Sequence, residues 1–143
     1  MIRQYQQSDR DQVVAIWLDA SIKAHDFIAP RFWTSKIEDM RDIYIPSAET
    51  YVFEDDGIIK GFVSLVDDTL AALFVSPGYQ GNGIGKQLLL KSKAMRDKLV
   101  LTVYKENTKS VDFYAKNGFE ITKEQIDRHT GHTELVMTFT RSQ

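Results

Sequence analysis

The sequence predicts an α/β fold of the α+β type, in which a mixed central sheet of about seven strands packs against about four helices. Three observations support this fold class. Strand-like and helix-like hydrophobic patterns alternate along the chain, polar turn signals separate the strands in its middle, and an apolar run leads through a glycine-rich loop into an amphipathic helix. The predicted element order is β-α-α-β-β-β-α-β-α-β-β.

Length and composition indicate an ordinary globular protein. The chain has 143 residues, and no repeat or linker divides it, so residues 1–143 are expected to form a single domain. The net charge of −2 argues against a broad nucleic-acid surface. The absence of cysteine excludes disulfides and cysteine-bound metals and is compatible with a reducing cytoplasm. Because no apolar run is long enough for a membrane span, a cytoplasmic protein without a membrane partner is expected.

The N-terminal third predicts one short strand followed by two helices. The strand covers residues 2–5. Ser8 and Asp11 form a possible capping box for the first helix, which continues with apolar residues at helical spacing for about four turns. The second helix is predicted over residues 31–44 and should end before Pro46.

The middle of the chain predicts three consecutive strands. Residues 50–54 and 58–66 are rich in strand-forming side chains, and Asp55-Asp56-Gly57 between them is a hairpin signal. Asp67-Asp68 marks the next turn, and residues 69–75 form the strand that enters the glycine-rich loop.

Two helices alternate with the last strands. The first helix is predicted over residues 84–96, and a compact apolar strand follows over 99–104. Asn107 is a suitable N-cap for a short helix that ends at Asn117-Gly118, where glycine suits a left-handed backbone. Two final strands are predicted over residues 119–126 and 133–140.

The glycine-rich loop predicts an anion site, because the first N–H groups of the following helix lack partners and the helix dipole adds positive charge. The glycine spacing excludes the dinucleotide fingerprint, whose third glycine would fall at Lys86. The P-loop pattern fails because Gln80 and Gln87 occupy the positions that need glycine and a hydroxyl residue. The pattern that fits is Q-x-x-G-x-G, read at Gln80, Gly83 and Gly85.

Two motifs in this order resemble the GCN5-related N-acetyltransferase (GNAT) superfamily. The first is the Q-x-x-G-x-G loop, and the second is N-x-x-[AS]-x-x-[FL]-Y-x-x-x-G-F, read from Asn107 to Phe119. The predicted element order resembles the GNAT fold over nearly the whole chain. The details most resemble small bacterial members linked to peptidyl-lysine N-acetylation, which carry a segment like His25-Asp26-Phe27-Ile28. The resemblance implies direct transfer of an acetyl group from acetyl-CoA to a primary amine, with a protein lysine as the first choice.

The resemblance also implies which residues bind acetyl-CoA. Backbone groups at the end of the strand before the loop would hold the pantetheine arm, and the loop would hold the pyrophosphate. Asn107 would contact the pantetheine arm or order its helix, and Tyr114 would protonate the departing thiolate, although such a tyrosine can also be only an aromatic anchor. The backbone set is Leu73, Phe74 and Val75, and the loop set is Gln80, Gly81, Asn82, Gly83, Ile84, Gly85 and Lys86.

The general base is not assigned by the sequence. Many GNAT relatives have a carboxylate on the strand before the loop, where this chain has Ala71 and Ala72. Because a lysine amine has a pKa of about 10.4, some route for deprotonation is needed. His25, Asp26 and Glu54 are candidates.

The acceptor side is expected between the first helices. There the resemblance places an aromatic wall of Phe27, Phe32 and Trp33, with His25 and Glu54 as further candidates for substrate binding. His129 and His132 flank a turn without nearby ligand partners, so two exposed histidines and no metal are expected.

Three questions stay open from the sequence. The acceptor is either a protein lysine or a small free amine such as an amino acid, a polyamine or a drug. A CoA-binding sensor without turnover is the alternative from another functional class, and the missing carboxylate at Ala71 and Ala72 slightly favours it. The protein is expected to be a monomer or a homodimer.

Overall fold

A seven-stranded mixed sheet forms the centre of the molecule, and its spatial order is β1-β2-β3-β4-β5-β7-β6. The computed structural model describes residues 1–141. The strands are β1 (Ile2–Gln4), β2 (Glu49–Asp55), β3 (Ile58–Val66), β4 (Thr69–Val75), β5 (Lys98–Tyr104), β6 (Glu120–Ile126) and β7 (Thr133–Thr140).

The junction between β4 and β5 differs from every other junction in this sheet. All other neighbouring strands pair antiparallel, whereas β4 and β5 run parallel and register at one pair, Thr69 with Val100. The Val100 N–H donates to the Asp68 carbonyl at 2.9 Å. Beyond this point the two strands separate, so the sheet opens toward the end of β4.

Helices cover both faces of the sheet. On one face lie α1 (Arg10–Ala24), α2 (Pro30–Thr34) and α3 (residues 37–47), and on the other lie α4 (Ile84–Met95) and α5 (Thr108–Lys116). Side chains of β4 alternate between the two layers. Leu73 and Val75 pack with α4 and α5, whereas Ala72 and Phe74 pack with α1, α2 and α3. None of the helices within residues 1–141 has the length and apolar character needed to cross a membrane.

The turns agree with the sequence signals. Asp56 and Gly57 both have positive φ, 52° and 76°, as a tight hairpin turn between β2 and β3 requires. Asp67 has the same left-handed backbone before β4, and Gly118 adopts it after α5 at φ 91°. The predicted α+β class and element order are confirmed, with the second helical segment divided in two.

The predicted start of α1 is wrong. A 3₁₀ turn over Gln7–Asp9 precedes the helix, and the Asp9 carboxylate accepts a hydrogen bond from the Gln6 N–H at 2.8 Å. A tertiary contact explains the different helix start. The Arg3 guanidinium pairs with both carboxylate oxygens of the buried Asp9 at 2.8 and 2.9 Å. That ion pair holds Asp9 in place of the expected cap by Ser8.

The continuous helix predicted over residues 31–44 is also wrong. The α2 helix ends at Thr34, and α3 consists of Ile37–Asp39, a π-helical turn at Met40–Tyr44 and Ile45–Ser47. The Ile45 N–H bonds to the Met40 carbonyl, one residue further back than in an α-helix. The wider turn lets the helical path continue past Pro46, which has no N–H to donate.

Candidate active site

A cleft of about 300 Å³ opens where β4 and β5 separate. Its walls come from both faces of the sheet. Trp17, His25 and Trp33 line it from the side of α1 and α2, and Ser110 and Tyr114 line it from α5. The opening therefore has side chains from both faces of the sheet around it.

The glycine-rich loop follows the end of β4. After a 3₁₀ turn at Pro77–Tyr79, Gly81 and Gly83 have φ values of 86° and 81°, and α4 begins at the next residue, Ile84. The Gln80 side-chain amide donates to the Val75 carbonyl at 3.0 Å, and that of Asn82 donates to the Tyr79 carbonyl at 3.2 Å. These two side-chain amides stabilise the loop conformation by hydrogen bonds to nearby backbone carbonyls.

The start of α4 lies close to the cleft. A Cβ atom placed on Gly85 would be 3.7–3.8 Å from side chains of Phe113, Val75 and Leu73, and Leu73 itself lines the cleft. Ile84 is buried and anchors the first turn, whereas Lys86 is exposed. The first N–H groups of α4 are therefore placed beside the α5 side of the cleft, where an anionic ligand group is favoured.

Tyr114 reaches the cleft from α5. Its side chain is 7% exposed and packs against the rings of Phe113 and Phe119, with centroids 5.3 and 5.4 Å away. Burial raises the pKa of Tyr114, so the hydroxyl keeps its proton at neutral pH. The same side chain thus anchors α5 and presents a proton donor to the cleft.

Asn107 and His25 form a contact across the cleft. The Asn107 side chain caps α5 by accepting from the Ser110 N–H at 3.4 Å, and its Nδ2 lies 3.4 Å from His25 Nε2. The other ring nitrogen of His25, Nδ1, donates to the Ser21 carbonyl at 2.8 Å. Nε2 is then the acceptor for Asn107, which makes the imidazole neutral.

Aromatic packing immobilises His25. Its ring stacks on Trp33 at 4.9 Å and meets Phe27 and Tyr104 edge-on at 5.7 and 5.3 Å. Burial lowers the pKa of His25, and both ring nitrogens are hydrogen-bonded. The geometry suits a residue that positions Asn107 better than one that accepts a substrate proton.

Beside the cleft, a second wall combines aromatic rings, of which Tyr104 lines the cleft itself, with acidic groups. Phe27 lies 5.8 Å from Tyr104 and 5.0 Å from His132, measured between ring centroids. The Tyr104 hydroxyl donates to Asp127, and His132 Nδ1 lies 3.1 Å from Glu106 Oε1. The expectation that His132 is an exposed turn residue is wrong, because its ring packs on Phe27, whereas His129 is exposed.

Several predicted site residues lie outside the lining of the cleft. Phe32 packs edge-on against Trp33 at 5.1 Å, one layer behind the wall, and Asp26 is exposed. Glu54 lies on β2, where its carboxylate pairs with Arg3 at 2.7 Å. Because β3 and β4 stand between β2 and the opening, the structure does not bring Glu54 to the other candidates.

Glu134 is a cleft residue that sequence reasoning did not find. It lies on β7, directly opposite Tyr104 on β5, and its side chain lines the cleft. A single acidic residue near the start of an otherwise mostly apolar strand, Thr133–Thr140, was the available signal.

No group of three or more histidine, cysteine, aspartate or glutamate side chains that could hold a metal ion occurs within residues 1–141.

Comparison with known families identifies the class of protein. A family model described as an acetyltransferase (GNAT) domain matches residues 46–121. The chain belongs to the GNAT acetyltransferase family. It is an N-acetyltransferase, and the family and enzyme class predicted from the sequence are confirmed.

Relatives with names and solved structures agree with this family. The chain is 37% identical over 122 residues to the peptidyl-lysine N-acetyltransferase YiaC of Escherichia coli (strain K12), covering 85% of this chain and 84% of that protein. The fold is similar to the solution structure of apo-form YjaB from Escherichia coli, with a TM-score of 0.86, 26% identity, and coverage of 99% and 98% of the two chains.

A third neighbour contains a cofactor. PaiA N-acetyltransferase from Thermoplasma acidophilum, solved in complex with coenzyme A, has a TM-score of 0.81 at 19% identity, and the match covers 98% of each chain. At this identity the similarity concerns the fold.

Proposed function

We propose that this GNAT-family enzyme transfers the acetyl group of acetyl-CoA to the side-chain amine of a protein lysine. The reaction is a direct attack within a ternary complex. The observation that carries the lysine acceptor is the 37% identity with a protein named peptidyl-lysine N-acetyltransferase, over 85% of the chain. The opening between β4 and β5 supports the ternary complex, because side chains from both faces of the sheet line it.

The donor binds at the end of β4. Because β4 separates from β5 after Thr69, the backbone groups of Leu73–Val75 on that edge are left for the pantetheine arm, except the Val75 carbonyl, which accepts from Gln80. The pyrophosphate binds the N–H groups of the glycine-rich loop and of the first turn of α4. Gln80 and Asn82 stabilise the loop conformation that presents these N–H groups. Lys86 supplies positive charge nearby.

The chemical step needs a proton donor for sulfur. The amine attacks the thioester carbonyl carbon, and the C–S bond breaks with its electron pair on sulfur. Tyr114 gives its proton to this thiolate, supported by its place in the cleft and by the burial that keeps it protonated. Asn107 holds the start of α5, and so the position of Tyr114, by capping that helix.

A cationic acceptor suits the opposite wall. Three carboxylates, Glu106, Asp127 and Glu134, lie around the rings of Tyr104 and His132. Acidic groups attract a lysine ammonium, and aromatic faces hold its alkyl chain and its charge. These features support lysine among primary amines without requiring a particular protein.

Two measurements test the proposal. Titration calorimetry should show saturable binding of acetyl-CoA, and incubation with bacterial protein should add acetyl groups to lysines, detected by peptide mass spectrometry above an enzyme-free control. A panel of free amino acids, polyamines and amine drugs, followed by thiol release, is run in parallel. Acetylation of free amines alone would contradict the lysine acceptor, and acetyl-CoA binding without any turnover would contradict the enzymatic proposal.

Three further expectations belong to this proposal. Residues 1–143 act as one catalytic domain, the enzyme works in the cytoplasm, and it is a monomer or homodimer. The edge strand β6 has large exposed apolar side chains at Ile121 and Ile126, which favours the dimer.

A further inference from the structure

Glu134 is distinguished by its place in the cleft. Among the lining residues within the described chain it is the single carboxylate. Its Oε1 accepts a hydrogen bond from the Gln125 side-chain amide at 2.7 Å. No hydrogen bond to Oε2 occurs within residues 1–141, so one oxygen is held and the other is available to a ligand.

The sheet register determines which face Glu134 occupies. Glu134 lies directly opposite Tyr104 in the β5–β7 pair, and side chains of directly opposed residues share a face. Tyr104 packs with the hydrophobic cluster of α1, α2 and α3. Tyr114 belongs to the cluster on the other face, with α4 and the start of the glycine-rich loop.

The other titratable groups of the cleft are unsuited to accepting a proton. Both ring nitrogens of His25 are hydrogen-bonded, and the Tyr104 hydroxyl donates to Asp127. Burial raises the pKa of Tyr104 and of Tyr114, so both phenols stay protonated. Among the titratable groups that line the cleft, Glu134 is therefore the remaining candidate for the proton acceptor.

We infer that Glu134 accepts the proton of the attacking amine, on the face of the sheet opposite to the face from which Tyr114 protonates sulfur. This inference rests on the proposed acetyl transfer and supplies its missing base. A carboxylate on β7 also explains why Ala71 and Ala72 suffice on β4, since all three residues line the same cleft although β5 lies between the two strands.

The proton balance of the step is complete. An ammonium acceptor loses two protons as it becomes an amide, while the nitrogen–carbon bond forms and the carbon–sulfur bond breaks. One proton passes through Glu134 to solvent. The other replaces the proton that Tyr114 gives to the CoA thiolate, so the enzyme returns to its starting state.

The test compares Glu134→Gln with wild type and with Glu120→Gln, an equal charge change at an exposed position of β6. The measurements are calorimetric acetyl-CoA binding and kcat for a lysine peptide as a function of pH. In Glu134→Gln we expect kcat near neutral pH to fall about 100-fold, with acetyl-CoA affinity changed less than about twofold. Because the bound acceptor must then lose its proton to solvent before it attacks, kcat should rise about tenfold per pH unit toward the lysine pKa.

Titratable groups near Glu134 can also contribute to the pH dependence of kcat. These are Tyr104 on β5, Asp127 after β6, and His25 and His132 around the same aromatic wall. All four are retained in Glu134→Gln and in Glu120→Gln, so a difference between the two variants belongs to Glu134.

Three outcomes are informative. An unchanged kcat in Glu134→Gln, with active wild type, would overturn the inference and leave the proposed function intact. A raised acceptor KM at unchanged kcat would also overturn it, because Glu134 would then only hold the cation. Inactive wild type with bound acetyl-CoA would instead contradict the proposed function itself.

Discussion

The two mouths of the cleft are built by different means. On the α4–α5 side the features are backbone ones, namely a glycine-rich loop, the N-terminus of a helix and the free edge of β4. On the opposite side they are side chains from distant segments, including His25, Tyr104 and Glu134. The first mouth offers backbone N–H groups to a ligand with phosphate groups, whereas the second meets its ligand through side chains.

The difference also appears in how each mouth is stabilised. The donor mouth depends on local geometry, since positive φ at Gly81 and Gly83 precedes the helix directly. The acceptor mouth depends on long-range packing, in which the His25 ring stacks on Trp33 and contacts Tyr104. A local change should therefore act mainly on donor binding, whereas a packing change on the acceptor side should lower the stability of the fold more strongly.

Among changes on the α4–α5 side, replacing Tyr114 with Phe should have the largest effect on turnover. The variant keeps the ring packing against Phe113 and Phe119 and loses only the proton donor. We expect kcat to fall about 100-fold at neutral pH, while acetyl-CoA affinity stays within about twofold. Tyr44→Phe, at an exposed tyrosine, is the matched control. Equal kcat in Tyr114→Phe and wild type would assign Tyr114 to packing alone.

A change at Gly83 tests the donor mouth. Alanine at φ 81° introduces backbone strain of about 1 kcal/mol, which displaces the N–H groups that begin α4. We expect the acetyl-CoA affinity measured by calorimetry to fall about tenfold. The kcat at saturating acetyl-CoA should change little. Gly78→Ala provides the control, since that exposed position has open space and no positive φ. Equal affinities in the two variants would contradict the role of the loop geometry.

His25→Gln tests the packing of the acceptor mouth. The loss of stacking on Trp33 should lower the free energy of unfolding by about 2 kcal/mol near pH 7.5. Because burial lowers the pKa of His25 in the folded state, the unfolded chain binds more protons below about pH 6.5. The wild type should then lose stability as the pH falls through that range.

Urea denaturation at about pH 7.5 and about pH 5.5 separates this effect from general acid destabilisation. We expect a smaller loss on acidification in His25→Gln than in wild type, whereas His129→Gln, at an exposed histidine, should behave like wild type. An equal loss in all three proteins would show that His25 does not carry the pH dependence.

The smallest effect is expected for Glu54→Gln. Its carboxylate pairs with Arg3 on β1, and both side chains are about one-third exposed, at 31% and 30%. The free energy of unfolding should fall by less than about 1 kcal/mol. Turnover should equal that of wild type in the same thiol-release assay. A large loss of kcat would return Glu54 to the candidates for the acceptor site.

The success of the sequence predictions follows the range of the interactions concerned. The hairpin at Asp56 and Gly57, the strand from Thr69 to Val75 and the cap at Asn107 depend on neighbouring residues, and each was predicted in place. The start of α1 was missed because Arg3 binds Asp9 from another element. The π-helical turn at Met40–Tyr44 was missed because no helix-breaking residue occurs in that segment before Pro46.

The candidate site divides in the same way. The sequence by itself determined the fold class, the family and the donor motifs, because glycine spacing, helix caps and alternating apolar residues act over a few positions. The tertiary structure decided that Glu54 lies away from the cleft, that His25 is neutral and held by Asn107, and that Glu134 faces the opening. These facts depend on strand order and on the separation of β4 from β5, which join residues far apart in the chain.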